Sequence, residues 1–466
     1  MMLRRILLVL GYLAVAAVVV LGTIGMVAYG EGYTYNFRTG QIIRTGLVII
    51  QSVPSGAGVT FDGKKLKKKT TYRQSLEAGS YTYELNKDGF YPWKKVLSVM
   101  ASEVTLVQYA LLVPKQPATS IVTTTPAALV SVAESKDHRH VVYATVAPDS
   151  AVYVVDNNGS PRKVFAAPVA TASAPAETVS EVSWSDDASH ILVVTQAAGH
   201  AVHWVVPAGG GDAINLTERF GFDLSGLRFS GYDWSQMFWI SPDGLRRLDV
   251  DAQTVSAVLA DKVRQFQVAG DRVLYVQTTD LGPSLWSLDR SGRRQELIQA
   301  LPESEAYALE YTSYRGHDEL AVVPSRTQVG TLYSDIFSNN PVSKTIAHGV
   351  TGASFSPDGH LLAFSGPGAV VTYDLERSSL TDRLVSYEFG GVANLASMSW
   401  YDNFHLLRNQ GGRLLFGEYD GANTYDLGGL SGGFAPFSSA DLSAVEGFEP
   451  TADGAGTQLM QLVVKP

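Results

Sequence analysis

A Gly-x-Ser-x-Gly sequence at Gly429, Ser431 and Gly433 has the spacing of a nucleophile elbow, in which a sharp turn presents a serine hydroxyl to a histidine base. In hydrolases built on that elbow the histidine follows the serine, but here the last of nine histidines is His405. The order excludes the triad, and the motif is expected to be an inter-strand turn. Two short histidine pairs, His138 with His140 and His200 with His203, lack the further ligands that zinc requires. The chain has no cysteine, which removes thiolate nucleophiles, iron–sulfur clusters and disulfides together. Asp249 with Asp251, and Asp156 to Gly159, do not follow the spacing of a calcium loop and read as turns. Neither a phosphate loop nor a dinucleotide fingerprint follows a strand. The sequence therefore nominates no catalytic, cofactor-binding or metal-ligating residue. Carboxylates gathered from distant segments around a funnel would escape any reading of spacing.

The densest charge in the chain is the run Lys64, Lys65, Lys67, Lys68 and Lys69. Beside a bilayer, each base is worth about 1 kcal/mol of attraction to anionic lipid, and a wall polyanion would be bound in the same way. The plainer alternative is a solvated hairpin tip.

The elements that would carry these residues begin with an anchor. No charged residue occurs from Ile6 to Gly30, a stretch of 25 residues that spans roughly 37 Å as a helix. That length crosses a hydrocarbon layer of about 30 Å with some tilt. The apolar region of a cleaved signal peptide usually runs only about 7–15 residues, so length favours an anchor. Arg4 and Arg5 before the run put residues 1–5 in the cytoplasm and the bulk of the chain outside it, a single-pass arrangement in the cell membrane.

After a linker at 31–45, residues 46–114 read as short strands separated by turns, among them Asp62-Gly63 and Asp88-Gly89. The series Val53-Pro54-Ser55-Gly56-Ala57, then Phe61-Asp62-Gly63, Leu76-Glu77-Ala78-Gly79 and Lys87-Asp88-Gly89-Phe90 resembles the PEGA domain. The resemblance implies a small β-sandwich with Pro54, Gly56, Ala57, Asp62 and Gly63 in structural roles, found as a non-catalytic spacer on bacterial surface proteins. It departs from the family at Lys67-Lys68-Lys69-Thr70-Thr71, where a Gly-x-Thr-Pro turn is usual.

Beyond a linker at 115–125 the chain repeats at roughly the 40–50-residue period of propeller blades, over 126–466. Strand, polar turn and strand recur around Trp184, Trp234, Phe355, Asp358 and Trp400. The Ser356-Pro357-Asp358-Gly359 turn before Leu361-Leu362-Ala363-Phe364 is similar to the repeats of TolB-type, WD40-like propellers, which implies that Asp358 caps the turn and that the aromatics pack between blades. Units starting near 126, 177, 222, 261, 302, 350, 392 and 431 give eight blades, or seven if the first and last merge. The last unit shows only three strands, and Thr119 to Thr124 is positioned to supply the fourth.

The expected molecule is thus all-β apart from one N-terminal transmembrane helix: a PEGA-like sandwich followed by a propeller. Residues 1–45 carry a net charge of +3 and residues 46–114 carry +4, leaving −16 on the remainder. An acidic head argues against nucleic acid. The expected role is a binding or scaffold protein of the bacterial envelope whose partner is another envelope protein or a glycan. The alternative is a surface polysaccharide hydrolase or lyase with funnel carboxylates.

Overall fold

The computed structural model describes residues 2–30, 32–36, 40–146, 149–156, 160–172, 174–231, 233–381, 384–390, 398–410, 413–428 and 433–465. The chain divides into two compact units, residues 1–117 with 465–466, and residues 118–464.

The first unit opens with a helix, α1 (Met2–Gly30). Its segment Leu10–Gly30 is 21 residues long, roughly 31 Å, and no side chain of its most apolar window is buried in the protein. The hydroxyl of Thr23 donates to Val19 O at 2.8 Å, so the helix satisfies this polar group internally, as a hydrocarbon environment demands.

Eight strands follow: β1 (Tyr33–Asn36), β2 (Gln41–Val53), β3 (Gly58–Phe61), β4 (Lys64–Lys69), β5 (Tyr72–Glu77), β6 (Gly79–Asn86), β7 (Trp93–Val99) and β8 (Val104–Leu111). One sheet runs β1-β2-β5, with β8 pairing parallel to β2, and the other runs β4-β3-β6-β7. Strict alternation in β2 sends Val48 and Ile50 inward, where they meet Val59, Tyr83, Leu85 and Trp93, all fully buried. Phe61 pairs directly with Lys64 across Asp62-Gly63, and both turn residues have positive φ (43° and 77°), the geometry of a two-residue hairpin that Gly63 adopts without strain.

Among the described residues the second unit contains eight four-stranded antiparallel sheets. Their first strands are Leu129–Glu134, Glu177–Trp184, Arg228–Phe229, Val263–Ala269, Tyr307–Tyr314, Gly352–Phe355, Met398–Trp400 and Phe437–Ser438, which define blades 1 to 8 in order. First strands of blades 1 and 2, 4 and 5, 5 and 6, and 7 and 8 contact one another, which makes these the inner strands of a ring. Blades 1 to 7 each take four consecutive strands from the sequence. Blade 8 takes three, and its outer strand is β9 (Thr119–Thr125), paired antiparallel with Thr457–Val463. The ring is therefore an eight-bladed propeller closed by chain from in front of blade 1.

Each blade is thin, so the core lies in layers between blades. Ile191, Val193 and Val206 of blade 2 pack on Val142, Val152 and Val154 of blade 1. Tyr143 and Val141 of blade 1 pack on Phe437, Phe448 and Leu459 of blade 8. Gly330 shows how close the layers approach: a Cβ there would lie 2.6 Å from the ring of Phe364 in the next blade.

Candidate functional site

The turns between first and second strands carry the most regular polar chemistry of the ring. In blades 1, 2, 6 and 8 the hydroxyls of Ser135, Ser185, Ser356 and Ser439 donate to Asp137, Asp187, Asp358 and Asp441 at 2.7, 2.6, 2.9 and 2.8 Å. Each serine oxygen in turn accepts the backbone N–H five residues on, from His140, His190, Leu361 and Ala444 at 2.9–3.0 Å. Hydrogen bonds from Ser443 and Ser439 hold the Asp441 carboxyl below the usual carboxylate range. At Asp358 burial opposes ionisation, but hydrogen bonds from His360 and Ser356 outweigh it and the carboxyl again titrates low. These aspartates are occupied as turn caps.

The aromatic repeat residues join blades. Trp184 Nε1 donates to Ala133 O of the preceding blade at 3.0 Å, and Trp400 Nε1 donates to Ser354 O at 3.3 Å. Trp234 stacks on His190 of the preceding blade with ring centroids 3.8 Å apart, and Phe355 is buried in the layer between blades 5 and 6. In blade 3 the first strand, Arg228–Phe229, has only two residues.

In the sandwich, Lys64, Lys65, Lys67, Lys68 and Lys69 form strand β4 at the edge of a sheet, not a hairpin tip; the tip is Asp62-Gly63. All five side chains are exposed, and lysines on an edge discourage pairing with another chain. The departure at Thr70-Thr71 has a structural role. Thr70 N donates to Ala57 O at 2.9 Å, Thr70 O accepts from Gly56 N at 3.1 Å, and Thr70 Oγ1 meets Ala57 N at 3.0 Å and Ser52 Oγ at 2.6 Å. The turn is thereby tied to the Pro54, Gly56 and Ala57 segment without a proline.

The histidine pairs do not converge. His138 Nδ1 lies 2.6 Å from Glu134 Oε1, while His140 faces Trp184. His200 is exposed, whereas His203 is buried, and burial depresses its pKa. Among the described residues no group of three potential ligands could hold a metal ion. Ser431 in the Gly-x-Ser-x-Gly sequence, and residues 157–159 of the Asp156 turn, lie outside the described residues.

Charged chemistry missed by spacing collects between blades. A cleft of about 470 Å³ between blades 5 and 6 is lined by Arg315, His317, Glu319, Asp335, Lys344 and Glu376. Arg315 pairs with Glu376 at 2.7 Å and His317 with Asp335 at 2.8 Å. Glu319 is 6% exposed, accepts from Ser334 Oγ at 2.6 Å, and is pushed up in pKa by burial. A second cleft, about 400 Å³, lies between blades 8 and 1. On the inner strand of blade 5, burial pushes Glu310 up to about 7, opposed by the charge of Lys136 in the first turn of blade 1. An acid that titrates near neutrality on an inner strand had no signal in its sequence neighbourhood.

Residues 45–113 match the PEGA domain. The chain is similar in structure to the Dos1 propeller, with TM-score 0.48 and 12% identity over 75% of this chain and 95% of that one. It is also similar to the β-propeller domain of Myceliophteria thermophila Cps50 (Swd1), with TM-score 0.40 and 12% identity over 74% and 99%. Hydrazine synthase of Kuenenia stuttgartiensis is a further structural neighbour, with TM-score 0.39 and 13% identity over 66% and 98%. No curated protein matches the chain.

Proposed function

We propose that this protein is a single-pass membrane protein of the bacterial envelope whose PEGA domain spaces a TolB-type propeller from the bilayer, and that the propeller binds another envelope protein or a glycan. The observation that carries this reading is the helix itself. The most apolar window of its segment Leu10–Gly30 has no buried residue, and the buried core of the sandwich is formed without any residue of the helix. Exposed apolar area on this scale finds its partner in lipid.

A binding role follows from the distribution of polar groups. The turn aspartates are consumed as caps, whereas the interblade clefts hold charged side chains on a rigid frame, the arrangement that favours recognition. The lysines of β4 are, in this reading, a secondary contact to anionic lipid or wall polymer.

Carbonate extraction tests the anchor. The full chain is expected to stay in the membrane pellet and to retain residues 1–30 by mass spectrometry, while a variant lacking residues 2–30 enters the soluble fraction. A full-length chain released by carbonate, or a mature chain beginning after residue 30, overturns the reading.

A further inference from the structure

The cleft between blades 8 and 1 is assembled from parts of the chain that meet only because the ring closes. β9 contributes Ser120 and Val122, blade 1 contributes His138, Arg139 and Val141, and blade 8 contributes Ser438, Asp441, Glu446 and Gln461. Its volume, about 400 Å³, falls within the roughly 300–1,000 Å³ of small-molecule sites. Val122, Val141 and Val155 line the cleft together with the polar side chains. Gln461 Nε2 donates to Glu446 Oε1 at 3.0 Å, and Ser120 Oγ approaches Gln461 Oε1 at 3.5 Å, so an amide and a hydroxyl already line up beside a carboxyl. Ser438 is 2% exposed, and its hydroxyl has no hydrogen-bond partner.

Two carboxyls, Glu446 and Asp441, line the cleft together with Arg139 and His138, but His138 is already paired with Glu134 at 2.6 Å. Burial pushes both Glu446 and Glu134 up in pKa, and the charge of Glu134 adds to the effect on Glu446. Asp441, also on the wall, is held ionised by its hydrogen bonds. His138 is engaged with Glu134, and Arg139 is turned to the exposed rim, 4.0 Å from Asp137. A cation seated by Glu446 would relieve the repulsion between the acids, and no cluster of three metal ligands exists there among the described residues. Hydroxyls and an amide around that position suit a ligand with hydroxyl groups of its own.

We propose that the cleft across the closing seam, walled by Glu446, Gln461, Ser120 and Ser438, binds an organic ammonium that also bears hydroxyl groups, a ligand of the amino-sugar class. The proposal deepens the binding reading above but does not depend on the membrane anchor. A ligand there touches both ends of the ring and favours the closed state, since whatever binds only the native form stabilises it.

The test is titration calorimetry on the detergent-solubilised full chain at neutral pH, with glucosamine and N-acetylglucosamine as probes. Saturable binding of glucosamine is expected, with N-acetylglucosamine weaker by about tenfold or more, a difference of roughly 1.4 kcal/mol. Glu446→Gln should lose at least about tenfold for glucosamine. Arg139→Glu, on the exposed rim where folding is not at issue, should tighten glucosamine several-fold. Absence of glucosamine binding, equal binding of the two sugars, or a folded Glu446→Gln chain that binds as the parent does would each overturn the proposal. Should Glu446→Gln not fold, an unchanged affinity in Arg139→Glu overturns it. Membrane partition is read separately by carbonate extraction, so failure of this site and failure of the anchor are distinct results.

Discussion

Two prolines in the ring-closing strand, Thr123→Pro with Thr124→Pro, will lower the stability of the propeller by about 2–4 kcal/mol, from a lost ladder hydrogen bond and the apolar burial lost with it. Thr123 pairs with Leu459 and Thr124 with Gln458 of the third strand of blade 8. Antiparallel pairing directs alternate residues toward the partner, so one of these two N–H groups serves the ladder whichever way the strand faces. The loss extends beyond one hydrogen bond. With β9 detached, blade 8 keeps three strands and exposes the edge Thr457–Val463, and Val122 leaves the apolar layer between blades 8 and 1. Thermal unfolding followed by circular dichroism should show Tm lower by about 3 °C or more, since an unfolding entropy of about 2.1 cal/mol/K per residue makes each kcal/mol worth roughly 1.4 °C in a unit spanning residues 118–464. Size-exclusion chromatography should show self-association through the new edge. An unchanged Tm would mean that the strand contributes nothing to closure.

The second large effect concerns Glu310. Its carboxyl on the inner strand of blade 5 is raised from 4.5 to about 7, with burial as the main cause and Lys136 opposing it. Between those two values the native protein holds a proton that the unfolded chain has released, so stability falls as pH rises through the window. The shift corresponds at most to roughly 3 kcal/mol at 1.36 kcal/mol per unit, and the partial solvent contact of the half-buried side chain reduces it to about 1–3 kcal/mol. Glu310→Gln keeps the shape and removes the charge. Denaturant unfolding should find the variant and the parent nearly equal at about pH 4, with the variant more stable by about 1–3 kcal/mol at about pH 8. A constant difference across that range would assign Glu310 no titration coupled to folding.

These two positions show what the sequence revealed and what it concealed. The ring was visible because each blade repeats a strand, a polar turn and a strand, and because the last unit lacks one strand while Thr119 to Thr124 stands spare in front of the first. The sandwich was visible from its ordered turn motifs, which match the PEGA domain at 45–113. The plainer sequence reading of the lysine run was a solvated hairpin tip, yet it pairs with β3 as an edge strand, where lysines guard against further pairing. Clefts were invisible for a geometric reason. Ser120 and Gln461 lie 341 residues apart in sequence and meet only through closure, and Glu310 differs from any surface glutamate only in the strands that surround it. Likewise, Thr70 closes its turn through contacts to Ser52 and Ala57 that no spacing rule encodes.

The proposed role requires the propeller to lie outside the cytoplasm, and the absence of cysteine provides a clean reporter of that. Leu281 sits at the tip of a hairpin in blade 4 and is 100% exposed, so Leu281→Cys places a single thiol in solvent without touching the core. In spheroplasts expressing the full chain, a membrane-impermeant maleimide is expected to label this cysteine before lysis to the same extent as after it. Labelling that appears only once the membrane is permeabilised would place the propeller in the cytoplasm and contradict the account.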